Sequence, residues 1–182
     1  MERIRILATA DKYADSLQLC LDVVARERRY LAFTEAPPVD AVRGFVQFLI
    51  GGAGVQSLAV DEADTVVGWC DIIRNPREGF RHCGQLGMGL VPAFRHRGLG
   101  RDLATTTIAR ARGVDIKRIE LEVFSSNDRA VALYRTLGFV LEGTKRQARD
   151  LDGLVDDILI MASLEESLSG AHGISPMPSN ER

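Results

Sequence analysis

The chain has 182 residues, 46% of them hydrophobic, and a formal net charge of −2 from 23 Lys and Arg against 25 Asp and Glu. That length and apolar content supply one substantial core, and the near balance of charge argues against a general nucleic-acid binder. Cys20, Cys70 and Cys83 are widely spaced and odd in number, which offers no disulfide framework or zinc pattern and suits a reducing compartment. With no apolar signal core and no run of membrane-spanning length, the expectation is a soluble, cytoplasmic protein that does not bind membranes.

Residues 1–8 alternate charged and apolar side chains (Arg3, Ile4, Arg5, Ile6) and predict a half-buried first strand. Asp11 is placed to cap a helix whose stripe is Tyr13, Leu17, Cys20, Leu21 and Val24. After a loop containing Pro37 and Pro38, Val42, Phe45, Val46, Leu49 and Ile50 mark a second amphipathic helix, stopped by the glycine run from Gly51. Residues 55–60 and 65–73 read as an antiparallel hairpin with a tight acidic turn, followed by a polar loop and a strand over 82–90.

Leu99, Leu103, Ala104, Ile108 and Ala111 then recur at helical spacing, with Gly113 as the C-cap. Residues 117–124 alternate strictly, with Ile119, Leu121 and Val123 on one face and Glu120 and Glu122 on the other. A short helix over 127–137 ends at Gly138, and strands over 139–149 and 155–164 flank the Asp152-Gly153 turn. The order is strand, helix, helix, three strands, helix, strand, helix, two strands: an α/β domain over 1–164 around a mixed, mostly antiparallel sheet. Residues 165–182 are Ser-, Gly- and Pro-rich and read as a disordered tail.

The passage from Val91 to Leu103 organises the rest, because a strand runs there through an Arg- and Gly-containing turn directly into a helix. A helix start carries unpaired N–H groups and the positive end of the macrodipole. Gly98 and Gly100 let a ligand approach the main chain, while Arg95, His96, Arg97 and Arg101 add positive charge. The turn suits a phosphorylated ligand, a diphosphate first of all; otherwise it is an ordinary strand-to-helix turn with a basic surface. No Gly-Lys-Ser/Thr follows it, and the G-x-G-x-x-G dinucleotide pattern is absent. Gly84, Gly87 and Gly89 imitate a glycine-rich loop but fall inside a strand, which discounts them as a phosphate cradle.

Two motifs give the chain a family resemblance. The run Leu90-Val-Pro-Ala-Phe-Arg95-His-Arg-Gly98-Leu-Gly100 is similar to V-x-P-x-x-R/Q-x-x-G-x-G/A of the GNAT superfamily of acyl-CoA-dependent N-acetyltransferases. Asn127, Ala130, Leu133, Tyr134, Gly138 and Phe139 are similar to the same superfamily's N-x-x-A-x-x-L-Y-x-x-x-G-F. The likeness runs from about Ile4 to Leu164. It implies a GNAT-type fold with splayed fourth and fifth strands, and acetyl-CoA lying in the splay. Its pantetheine arm would pair with Met88, Gly89 and Leu90, and its pyrophosphate would sit on the turn formed by His96, Arg97, Gly98, Leu99, Gly100 and Arg101. Arg95 and Asn127 would complete this cofactor site, and no metal is implied.

Transfer to an amine requires a neutral nitrogen, a polarised thioester carbonyl and a proton for the departing thiolate. The resemblance places the Tyr134 hydroxyl at the sulfur as the acid and Glu122 at the position of a catalytic base, with Tyr134 also touching the cofactor. A core aromatic and a solvated or ion-paired strand carboxylate are the alternative readings of those two residues. Asn127 is equally a helix N-cap. Glu120 is the weaker base candidate, one pleat away. Gln85 stands where relatives often carry Glu, and an amide cannot accept the proton at neutral pH. The Leu90 N–H is the expected donor to the carbonyl.

The acceptor is expected among the first two helices and the last hairpin, at Glu27, Tyr30, Phe33 and residues 147–157, with Asp71, Glu120 and Glu122 making the cleft acidic. A small-molecule amine, a protein N-terminus and a lysine side chain all stay open, as does a homodimer. The competing function is a catalytically silent acyl-CoA-binding or regulatory module.

Overall fold

Among the described residues, seven strands form one sheet and four helices cover its two faces. The computed structural model describes residues 3–165; the expected tail from 166 onward and the first two residues of the expected first strand lie outside them. The elements are β1 Arg5–Ala8, α1 Ala14–Ala25, α2 Val39–Phe48, β2 Gly54–Val60, β3 Val66–Arg74, β4 Cys83–Leu90, α3 Leu99–Arg112, β5 Arg118–Phe124, α4 Asp128–Thr136, β6 Val140–Leu151 and β7 Leu154–Leu164. The sheet order is β1-β2-β3-β4-β5-β7-β6. All pairings are antiparallel except that of β4 with β5. A mixed, mostly antiparallel α/β sheet in this order is the expected fold class.

The parallel pair is the feature that matters. It is reached through the α3 crossover, as parallel neighbours require. It has only three rungs, Cys83 with Arg118, Gly84 with Ile119 and Gln85 with Glu120. Beyond them β4 stays with β3 as far as Leu90 while β5 follows β7 to Phe124, so the sheet opens into two halves.

Each face has its own core. Leu86, Leu103, Ala104, Ile116, Ile119, Leu121 and Met161 pack under α3 and α4, while Leu17, Val24, Val46, Leu58 and Trp69 pack under α1 and α2. Each such Leu or Ile contributes about 1.5–3 kcal/mol relative to exposure. The three cysteines are free and buried, Cys20 and Cys70 within these cores.

Several boundaries differ from those read in the sequence. Asp11 does not cap α1: Tyr13 holds the N-cap position of the helix, and residues Asp11–Tyr13 form a tight turn, preceded by Ala10, leading into it. The second helix begins at Val39, directly after Pro38, whose ring favours the extended conformation it adopts there. It then widens over Leu49–Ala53 and ends where Gly52 takes φ +96°. Gly113 follows α3 in the right-handed region at φ −62°, and the left-handed turn falls on Asp115 at φ +63°. Asp152 and Gly153, at φ +55° and +76°, make the β6–β7 turn that Asp-Gly favours.

Candidate active site

The glycines of β4 make room for neighbouring side chains. A Cβ at Gly89 would overlap the Trp69 ring, and one at Gly84 would strike Ile72 and Ile116. The close approach is of protein to protein, which is why this triplet is no phosphate loop. The Val91 N–H donates to the Val67 carbonyl of β3 at 3.0 Å. Strand alternation therefore turns the backbone groups of Leu90 and Met88 the other way, into the gap left by β5. On that side the Leu90 carbonyl accepts from Arg95 Nε at 2.8 Å, and the Leu90 N–H faces the gap without that partner.

After the short turn Pro92–Phe94 the chain enters α3 through two left-handed residues, His96 at φ +66° and Gly98 at φ +82°. The first bonds of α3 run from the Arg101 and Asp102 N–H groups to the Gly98 carbonyl at 2.9 and 3.2 Å. The amides up to Gly100 thus precede the helix ladder and are available to an anion. The Gly98 Cα has open space around it, and a Cβ at Gly100 would find only ordinary contacts with Leu90, Leu133 and Met88.

The arginines of this turn go separate ways. Arg95 forms a two-pronged ion pair with Glu27, one prong at 2.8 Å, and stacks over Tyr30 at 4.9 Å. Arg97 lies over Phe94, and Arg101 donates to Thr136 Oγ1 at 3.3 Å. His96 meets Arg129 of α4, its Nε2 2.6 Å from the guanidinium.

Opposite the turn, α4 starts at Asn127, whose Oδ1 accepts from the Ala130 N–H at 3.2 Å, so the N-cap reading holds. About two turns further on, Tyr134 is buried and packs tilted against Phe139, ring centroids 5.7 Å apart. Its hydroxyl makes no side-chain hydrogen bond among the described residues and is not sealed off from the cleft. Burial pushes the phenol far above its ordinary pKa, with the neighbouring Cys70 thiol adding to the effect, so it stays protonated across the neutral range.

A cleft of about 560 Å³ gathers these elements. Of the residues expected there, Met88, Gly89, Leu90, Arg95, His96, Gly98, Gly100, Arg101, Glu122, Asn127 and Tyr134 line it; Arg97 and Leu99 do not. Leu99 packs against the α3-side core. The carboxylates expected to make the cleft acidic are also divided. Glu122 lines it but is paired with Lys145 of β6. Glu120 is outside the lining and tied to Arg118 at 2.6 Å. Asp71 lines a different cavity.

That second cavity, about 370 Å³, lies on the α1–α2 face of the sheet and is missed by sequence reading. Leu21, Phe33, Phe45, Val42 and Trp69 form its walls, with the Asp71 carboxyl among them. It shares Leu31, Gly87 and Met88 with the cleft. The only signal for it in the sequence is one polar residue, Asp71, inside an otherwise apolar strand. The loop after α1 that roofs it is pinned to the last hairpin: Arg28 grips Asp152 at 2.6 and 2.7 Å, and Arg149 donates to the Arg28 carbonyl at 2.5 Å.

The split sheet, the helix start beside it and the buried tyrosine facing it define the fold class of the N-acetyltransferases. Residues 21–139 match the acetyltransferase (GNAT) family, and the chain belongs to that family. It is 36% identical over 89 residues to the N-alpha-acetyltransferase RimI of Mycobacterium tuberculosis, covering 49% of this chain and 54% of that protein. It is 36% identical over 85 residues to the mycothiol acetyltransferase of Renibacterium salmoninarum, covering 45% of this chain and 25% of that one. The chain thus spans about half of the first relative and a quarter of the second. The fold is similar to a GNAT-family acetyltransferase from Streptococcus pneumoniae, with TM-score 0.83, 24% identity, and coverage of 89% of this chain and 99% of that one. It is also similar to the yncA structure from Salmonella typhimurium, which contains its cofactor acetyl-CoA, with TM-score 0.83, 17% identity, and coverage of 93% and 98%.

Proposed function

We propose that this protein transfers the acetyl group of acetyl-CoA to a primary amine by direct attack in a ternary complex, using the chain up to Leu164. One observation carries the reading: a single cleft is lined at once by the start of α3, the gap-facing edge of β4 and Tyr134. The cofactor's diphosphate fits the amides from His96 to Gly100, where Gly98 and Gly100 leave the backbone bare. Arg95, held by Glu27 and bonded to Leu90, fixes the loop, while His96 and Arg101 supply positive charge at the cleft. Met88, Gly89 and Leu90 offer the strand edge to the pantetheine arm. Arg97 and Leu99 contribute through their backbone, since their side chains face elsewhere.

The Leu90 N–H is aimed where a thioester carbonyl would gain negative charge, and preorganised donors of this kind stabilise that charge. Tyr134, protonated and unpartnered, gives its proton to the departing thiolate. Glu122 is the carboxylate that the cleft offers for the amine's proton. Its contact with Lys145 occupies one carboxylate oxygen, so it takes the proton as the far end of a water chain. A silent acyl-CoA-binding module would have no use for an unpartnered phenol at the split. A reducing, cytoplasmic setting suits three buried free thiols. No described helix is long and apolar enough to cross a membrane.

The test is an amine panel followed by release of the CoA thiol, with acetyl-CoA affinity measured by calorimetry alongside. Release with at least one amine is expected. Acetyl-CoA binding without release from any amine would leave the silent module in its place.

A further inference from the structure

The cavity under α1 and α2 lies outside the cleft assigned above to acetyl-CoA, yet it adjoins that cleft at Gly87 and Met88, which line both. Its lining is almost wholly apolar: Leu21, Phe33, Phe45 and Trp69 come from three helices or loops and one strand. The exception is Asp71. In the sheet it stands in one cross-strand row, with Gln56 of β2 on one side and Gly87 of β4 on the other. The next position of that row, on β5, is Glu122, beyond the splay. Gly87 has no side chain, and a Cβ there would sit 3.4 Å from Asp71 Oδ1. The carboxyl thus lies directly over Gly87, a residue that lines both cavities.

Asp71 is buried, and Trp69 beside it is equally enclosed. No cation of the described residues pairs with it. A buried carboxylate without a cation is costly to ionise. Burial accordingly pushes the Asp71 carboxyl up to about 7, with a hydrogen bond from Gln56 opposing the shift. Such a group is completed by a ligand that brings its own positive charge.

We propose that this pouch is the acceptor pocket and selects a small primary amine with a compact apolar body, an arylalkyl or branched alkyl amine, whose ammonium group is received by Asp71 at the Gly87 junction. The proposal rests on the transferase reading above and names its substrate class. The apolar body displaces water from the walls formed by Trp69, Phe33 and Phe45. Asp71 takes the first proton, leaving a neutral nitrogen whose lone pair attacks the thioester carbon. The C–N bond forms, the C–S bond breaks, and the thiolate takes a proton from Tyr134. The surplus proton on the new amide nitrogen leaves by water toward Glu122. Return of one proton to Tyr134 leaves one proton released per turnover, as conversion of an ammonium and a thioester into an amide and a thiol requires.

Trp69 is the single tryptophan of the chain, so its emission reports on the pouch directly. The experiment titrates 2-phenylethylamine, its uncharged analogue 2-phenylethanol, and the hydrophilic amine ethanolamine into the full chain while reading Trp69 emission. Saturable binding of 2-phenylethylamine is expected, at least tenfold tighter than either comparison compound. D71N should weaken it at least tenfold. A41F, which fills the pouch from the exposed side of α2, should abolish it. Acetyl-CoA affinity of each variant serves as the folding control.

Unchanged Trp69 emission with 2-phenylethylamine in protein that binds acetyl-CoA would overturn the proposal, as would equal affinity for 2-phenylethanol. A saturable Trp69 response without thiol release would uphold the pouch as an amine site and sink the transferase reading instead. With turnover present, kcat/KM for 2-phenylethylamine should exceed that for ethanolamine at least a hundredfold. The reverse order would also overturn the proposal.

Discussion

The cleft and the pouch share Leu31, Gly87 and Met88, yet they are built from different materials. The cleft has one wall of bared backbone: a helix start, two left-handed residues and the edge of a strand that has lost its neighbour. The pouch is made of side chains contributed by α1, the loop after it, α2 and β3. Backbone can hold the part of a ligand that never varies, because amides at a helix start recognise an anion whatever the surrounding side chains are. Side chains set what is selected, since one wall residue changes the shape and polarity of the pocket. Under the proposed function the molecule divides its two tasks between the ordinary geometry of a turn and a particular set of apolar walls around one acid.

Substitutions can break this division one part at a time. The largest effect is expected for Tyr134→Phe, which keeps the buried ring against Phe139 and removes the proton donor. Turnover should fall by about 10²–10⁴ with acetyl-CoA affinity nearly unchanged. A rate equal to the parent's, in a thiol-release assay, would make Tyr134 a packing residue only.

Asp71→Asn asks what the pouch acid costs the fold. A carboxyl raised from 3.8 to about 7 binds its proton more tightly in the native state. It contributes stability that is fully present below pH about 4 and is lost as pH rises through about 7. Asn abolishes that loss, so at pH 8 the variant should be more stable than the parent by about 2–4 kcal/mol, with little difference at pH 4. Denaturant melts at the two pH values measure it, and a constant difference would show that Asp71 ionises as freely in the native chain as in the unfolded one.

On the cleft side, Gly100→Val leaves the backbone unstrained, because a Cβ there meets only ordinary contacts. Its methyl groups crowd the bare amides, and acetyl-CoA affinity should fall more than tenfold, or about 1.4 kcal/mol. Calorimetry on folded protein checks it, and undiminished binding would move the diphosphate off the turn. The smallest effect is expected for Glu122→Gln, a loss of about three- to tenfold in kcat/KM concentrated on the acidic limb of the pH profile. Glu120→Gln, already tied to Arg118, should change less. A KM effect alone would reduce Glu122 to an electrostatic neighbour of Lys145.

How far each region can be read in the sequence follows from the same contrast. The start of α3, the cap at Asn127 and the strand alternation of β5 are local, so spacing alone locates them. The splay between β4 and β5 comes with the family resemblance. The three arginines of the turn read as one basic cluster, yet Arg95 leaves it for Glu27, 68 residues earlier in the chain. Proximity in sequence does not fix side-chain direction where His96 and Gly98 reverse the backbone. The pouch is the least legible part. Leu21, Phe33, Phe45 and Asp71 share no period, and only the packing of α1 and α2 over β3 brings them together. Asp11 fails as a cap for a related reason: it lies inside the turn that carries Tyr13 into the core, and its carboxylate accepts from Arg43 and Gln47 of α2 instead.

The three-rung seam between β4 and β5 also bears on how the chain is assembled during synthesis. Every residue of the buried α1–α2 cluster, and every residue lining the pouch, lies at or before Val91. The half-sheet β1–β4 therefore contains everything that covers one of its faces, while Cys70, Ile72 and Leu86 on the other have no cover until α3 is made. Translation at about 5–20 residues per second leaves that half waiting for about one to four seconds while the next twenty or so residues appear. The bare face and the unpaired edge of β4 are the aggregation hazard of that interval. The glycines of β4, poor strand formers on their own, reduce the hazard by making the edge a weak template. Gly89, which leaves room for Trp69, thus also makes the unfinished edge a poorer template for a neighbour.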